Sequence, residues 1–145
     1  MIGVGWLRSD RGSAAVEVAI AAPVMAAFIL TIIFGGRVAV SHQVVQSAAA
    51  DAARAASLAR SADTAKSAGN KVATASLNNQ SLNCAKTNVA IDTSGFAKPV
   101  GTAANVSVTV ICSVEIADLG LVGLPGSMQV SATMVSPLDT YRERG

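Results

Sequence analysis

Apolar and polar positions fall into three regimes along the chain. From Ser13 to Gly36 apolar and small residues run on without a charge except Glu17. As a helix rising about 1.5 Å per residue, residues 13–36 cover roughly 36 Å, against a hydrocarbon core of about 30 Å. This stretch is therefore read as a transmembrane helix. A secretory signal has an apolar region of about 7–15 residues closed by a small-residue cleavage site, whereas this run is longer and ends in Gly35-Gly36-Arg37. In the second regime, Val38 to Leu77, alanine dominates and proline is absent, which predicts helix with a break at Gly69-Asn70. Val40, Val44, Val45, Ala48, Ala52, Ala55, Ala56 and Ala59 recur at steps of three and four and form one stripe. Side chains this small admit either a second helix or the chain's own strands, and both readings stand at this point.

The third regime begins near residue 80, where Asn, Thr, Ser and Gly rise and valines alternate with polar residues. Thr87–Asp92, Asn105–Ile116 and Met128–Val135 are predicted strands. Gly95, Pro99, Gly101, Gly120, Gly123, Pro125 and Gly126 punctuate the connections. Three short strands in sequence order suggest an antiparallel meander, and so small a sheet must lean on the helix to bury enough surface. The expected fold is thus a membrane-anchored α+β chain. A long N-terminal transmembrane helix continues outside the membrane and is followed by a small three-stranded antiparallel sheet. Its parts are residues 1–12 as a cytoplasmic leader, 13–36 as the membrane span, 37–77 as an extramembrane Ala-rich helix and 78–145 as a small disulfide-tied β domain.

Composition changes this picture little. Hydrophobic residues make up 51% of the 145 residues but aromatics only 3%, so the apolar content suits helix packing better than a deep pocket. A net charge of +2, without aromatics interleaved among the bases, excludes nucleic acid as a partner. Arg8 and Arg11 precede the span against Asp10, and the positive-inside rule places the N-terminus inside and the C-terminus outside. The two cysteines, Cys84 and Cys112, then lie on the outer side. One disulfide is expected, joining the segment before the first strand to the middle strand, with two independent buried thiols as the other reading. The chain-entropy account credits such a loop with about 3.6 kcal/mol.

The inventory for catalysis is poor. His42 has no nucleophile beside it in sequence and lies far from either thiol, so neither a catalytic pair nor a metal site is expected. Glu115 and Asp118 share the end of a strand and read as a solvated rim. No glycine-rich phosphate loop follows a strand. Asn79-Gln80-Ser81 and Asn105-Val106-Ser107 fit the glycosylation acceptor pattern, which is short enough to arise by chance. No catalytic residue, metal or cofactor is assigned, and the chain is not read as an enzyme.

Glu17 remains. It sits about 6 Å into the span if the helix begins at Ser13. A carboxylate at bilayer centre costs about 2.5–3.5 kcal/mol and less near the edge, and a helix N-terminus favours it. It is either a tolerated interfacial charge or a group with a partner in the membrane. A cut between Gly12 and Ser13 would create one such partner, a new amino terminus. Pro23 removes the hydrogen bond to the Ala19 carbonyl and bends the helix. Neighbouring helices usually compensate such a defect, although proline is also common in membrane helices generally.

Gly12, Ser13, Glu17 and the apolar helix that follows resemble the processing site of type IV pilin-like proteins. More narrowly, Arg11, Gly12, Ala15, Val16, Glu17, Pro23 and the Ala52-Ala53-Arg54-Ala55-Ala56 run resemble the TadE-like family of tight-adherence, or Flp-type, pilus assembly. Val18 stands where that family often has an aromatic residue. The resemblance is specific over residues 11–60 and weak over the strands. It implies a minor pilin-like (pseudopilin) subunit whose leader is removed by a prepilin peptidase at Gly12-Ser13. The small-residue stripe and the proline, read from the residues themselves, make Pro23, Ala48, Ala52, Ala55, Ala56 and Ala59 the candidate helix-packing positions. The implied partners are the membrane, the peptidase, other pilin-like subunits and the inner-membrane pilus assembly proteins. The implied location is the inner membrane, single-pass, with the C-terminus outside, in the membrane or carried into an extracellular pilus. The alternative is a membrane-tethered extracytoplasmic binding module without a pilus role, which would need no mature end at Ser13.

Overall fold

Between Asp10 and Ser57 alanine and other helix-compatible residues outweigh Pro23 and the glycines Gly12, Gly35 and Gly36, and helix α1 spans that whole stretch, Asp10–Ser57, as 48 residues. At about 1.5 Å per residue it is roughly 72 Å long. The computed structural model describes residues 10–120, 123, 125–141 and 143, so residues 1–9 of the expected leader lie outside the described residues. α1 passes through Gly35, Gly36 and Arg37 without interruption. One rod thus serves as both the apolar segment and the spine of the head.

The helical stretch to Leu77 is interrupted, but after Ser57 rather than at the expected Gly69-Asn70. α1 ends at Ser57, and α2, Ala62–Asn79, begins after a short connection. The reason lies in the cap. The Ser61 hydroxyl accepts the Thr64 N–H at 3.4 Å, and the Thr64 hydroxyl accepts the Ser61 N–H at 3.1 Å, a reciprocal pair that fixes a helix start. Gly69 does not break α2 but lies buried within it. A Cβ there would meet the tip of Ile91 at 2.6 Å and would stand 3.5 Å from the Ala52 carbonyl of α1. The glycine is a packing residue where α2 crosses α1.

The sheet is the antiparallel meander β1–β2–β3, with β1 at Cys84–Asp92, β2 at Asn105–Glu115 and β3 at Ser127–Pro137. Strict alternation along β2 buries Val106, Val108, Val110, Cys112 and Val114 and leaves Ser107, Thr109, Ile111 and Ser113 on the other face. In register, Val110 lies between Val89 and Ala132, and Cys112 between Thr87 and Val130. The helices cover the valine face only. On the open face the Thr109 and Thr133 hydroxyls bond across strands at 2.8 Å.

The alanine stripe resolves in favour of the chain's own elements. Val45, Ala48, Ala49, Ala52, Ala53 and Ala56 of α1 form one core with Ala65, Ala73 and Leu77 of α2 and the β2 valines. Ala55 and Ala59 are half-buried at its margin, and Val40 is exposed. Ala49 and Ala53 belong to the core although the predicted stripe omitted them. Burial of six small residues at i, i+3, i+4, i+7, i+8 and i+11 brings the helix backbone close to the sheet.

Cys84 and Cys112 form a disulfide with their Cα atoms 5.3 Å apart. Cys84 is the first residue of β1, not part of a preceding segment, and pairs with Val114 just before a register shift at Lys86. The bridge therefore staples two adjacent strands at one end of the sheet. At the other end, Asp92 accepts the Ser94 N–H at 2.9 Å and opens a short 3-10 turn, Ser94–Ala97. That bond, joined by one to the Ser94 side chain, holds the Asp92 carboxyl below its ordinary pKa.

Candidate functional site: the anchor and its junction with the head

The first part of α1 carries Val16, Val18, Ile20, Val24, Met25, Phe28, Ile29 and Ile32, all exposed in the isolated chain. This helix is long and apolar enough to cross a membrane. A continuous exposed apolar surface of this kind marks contact with lipid or with another protein. Gly12 and Ser13 lie in the first turns of α1, and Glu17 is exposed on the same helix. The axial distance from Gly12 to Glu17 is about 7.5 Å. Pro23 lies inside the uninterrupted helix, so its missing N–H is absorbed within α1. Thr31 sits in the same apolar stretch, and its hydroxyl donates to the Ala27 carbonyl at 2.8 Å.

The head has a defined polarity relative to this anchor. Gly120, in the β2–β3 connection, lies beside Ile33 and Arg37, and the Arg37 Nη1 donates to the Asp118 carbonyl at 2.7 Å. Twenty residues further along α1, the Ser136 hydroxyl donates to the Ser57 hydroxyl at 3.0 Å. α1 and β3 therefore run in the same direction. The β2–β3 connection is the end of the sheet nearest the anchor, and the 3-10 turn is the far end.

A groove of about 650 Å³ opens at the near end between the anchor and the sheet. Ile33, Arg37 and Ser41 line one side, Gln80–Asn83 another, and Asp118 and Leu119 the base. Ser41, 3% exposed, is satisfied by donating to the Arg37 carbonyl at 2.9 Å. A second groove, about 480 Å³, runs between the outer faces of α1 and α2 past Asp51, Arg54, Leu58 and Val72. Asp51 there accepts the Ser76 hydroxyl at 3.0 Å.

His42 is exposed on α1, and Glu115 and Asp118 are exposed at the sheet end. Among the described residues no cluster of three His, Cys, Asp or Glu side chains could hold a metal ion. Sequence reasoning missed Arg37 as a junction residue. Its position one residue past the apolar run was visible, but its partner, the Asp118 carbonyl, lies 81 residues away.

Residues 12–54 match the family model described as TadE-like protein, a family associated with tight-adherence pili. This is the family that the motif residues resemble. The matched stretch holds Gly12, Glu17, Pro23, the apolar run and most of the buried alanine stripe, and it stops before α2 and the sheet. No curated protein and no solved structure matches the chain.

Proposed function

We propose, from the match of residues 12–54 to the TadE-like family, that this chain is an accessory, pilin-like subunit in the assembly of a tight-adherence pilus. In this reading the chain performs no catalysis of its own. It is made with a leader, residues 1–12, which an inner-membrane prepilin peptidase removes after Gly12. Residues 13–36 hold it in the inner membrane as a single pass, with residues 37–145 outside. It works there with other pilin-like subunits and the membrane-bound assembly proteins, and it either stays in the membrane or enters the fibre.

The observation that carries the reading is that anchor and head share one helix. α1 bears a lipid-ready apolar surface whose one charge from Val16 to Gly36 is Glu17, and the same helix supplies the core of the disulfide-tied head. A passive tether needs no rigid coupling between membrane and head. A subunit that must be lifted out of the membrane and docked onto others is served by it. Major pilins of this kind are little more than the hydrophobic helix, and the folded head favours the accessory role.

N-terminal sequencing of the chain from its native membrane tests the processing step. The expected first residue is Ser13 in cells with an active prepilin peptidase. A Gly12→Leu variant is expected to remain full-length, because the bulkier side chain obstructs the backbone beside the cut. Recovery of only the intact 145-residue chain from peptidase-positive cells would overturn the processing.

A further inference from the structure

The groove at the junction of anchor and head lies where a membrane surface would be. Ile33 is the last large exposed apolar residue of the run, and Arg37 follows four residues on, roughly 6 Å along the axis. That rise carries a side chain from the edge of the hydrocarbon core into the headgroup layer, and an arginine stem reaches further still. The groove is thus continuous with the lipid-facing surface of α1 through Ile33 and has a guanidinium at its mouth. Among the described residues, the guanidinium is engaged through Nη1, by the Asp118 carbonyl. A guanidinium carries five N–H donors in a planar fork suited to a phosphate. That carbonyl fixes where the fork stands, while Ser81 and Asn83 add polar surface across the groove. Gly120, beside Ile33 and Arg37, adds no charge at this end of the sheet.

We propose that this groove seats the phosphate headgroup of an anionic membrane phospholipid, held by Arg37, and so fixes the head against the membrane surface. The inference rests on the reading of α1 as a membrane anchor. Its occupant is a lipid rather than a free anion because one wall of the groove is the anchor's own apolar surface. Asp118 also lines the groove, and a carboxylate this near opposes an anion there. Its removal leaves the main-chain carbonyl that positions Arg37.

The test uses the full chain reconstituted in vesicles of mixed phosphatidylglycerol and phosphatidylcholine, with retained lipids counted by native mass spectrometry. Wild type is expected to retain phosphatidylglycerol in preference. Arg37→Gln should lower that preference about fivefold, the worth of one basic residue at an anionic surface. Arg37→Lys, which keeps the cation, should retain most of it. Asp118→Asn should raise it, and Arg54→Gln, on the head far from the groove, should leave it unchanged. Equal retention by wild type and Arg37→Gln, or an equal loss in Arg54→Gln, overturns the proposal. Displacement of the lipid by excess inorganic phosphate would assign the site to a free anion and overturn it equally. Vesicle flotation separates this from failure of the anchor: a chain that does not float with vesicles overturns the membrane reading itself. A chain that floats without lipid preference overturns only the groove.

Discussion

Gly95 illustrates how a single atom is constrained in this head. It lies buried in the 3-10 turn after β1, and a Cβ there would collide with the main-chain carbonyl oxygen of Asn105, which cannot swing aside as a side chain would. Gly95→Ala is therefore expected to destabilise the head by about 1–3 kcal/mol, the usual cost of overpacking, seen as a lower denaturation midpoint in detergent. Gly36→Ala is the control, since a Cβ there meets nothing within 4 Å, and its midpoint should hold. The sequence marked Gly95 only as turn punctuation. The reason for the glycine is a carbonyl ten residues away, which no local pattern encodes. Gly69 was misread in the same way: its sequence neighbour Asn70 suggested a break, whereas the determinant is the approach of the Ile91 side chain from β1, with Ala52 and Ala56 of α1 in contact beside it. At Asp92, the depressed pKa has a local cause, the Ser94 N–H. A carboxyl whose folded pKa is lowered stabilises the fold above its unfolded pKa and loses that contribution as pH falls through the folded value.

At the scale of elements, regular periodicity was legible and junctions were not. The valine alternation of β2 announced the central strand, and all five inward positions from Val106 to Val114 are buried. The alanine stripe was equally visible, but what it packs on depended on where the chain reverses, and that was set by the Ser61–Thr64 cap. The cysteine pair was legible because only two thiols were present. Its placement was shifted because β1 starts at Cys84, where the alternation of valines is not yet evident. Cys84 and Cys112 are joined in the disulfide, so alkylation of envelope protein without reductant should label neither residue. Reduction should destabilise the head by about 2–4 kcal/mol, read as a fall in the denaturation midpoint that reoxidation restores. Labelling of both thiols before reduction would contradict the bridge.

At the scale of the whole molecule, one 48-residue helix joins the candidate membrane span and the head, and the sheet end that faces this span is fixed by Arg37 and Gly120. The long apolar helix was readable from composition alone, and the TadE-like resemblance from residues within the matched stretch, 12–54. The orientation of the head was not, because it depends on contacts between residues far apart in sequence. Glu17 is where the two accounts of the molecule part. As a mere interfacial charge, it could be replaced by glutamine with slightly easier insertion and no other effect. As the partner of the Ser13 amine, on its own or a neighbouring chain, its loss strands an ammonium in a low-dielectric setting at a cost of several kcal/mol. The most direct measurement is pilus production in cells carrying Glu17→Gln, scored together with protein level and leader removal. The assembly account predicts normal protein level with pili lost. Normal pili at normal level and processing would contradict it and leave the glutamate a tolerated passenger in a simple tether.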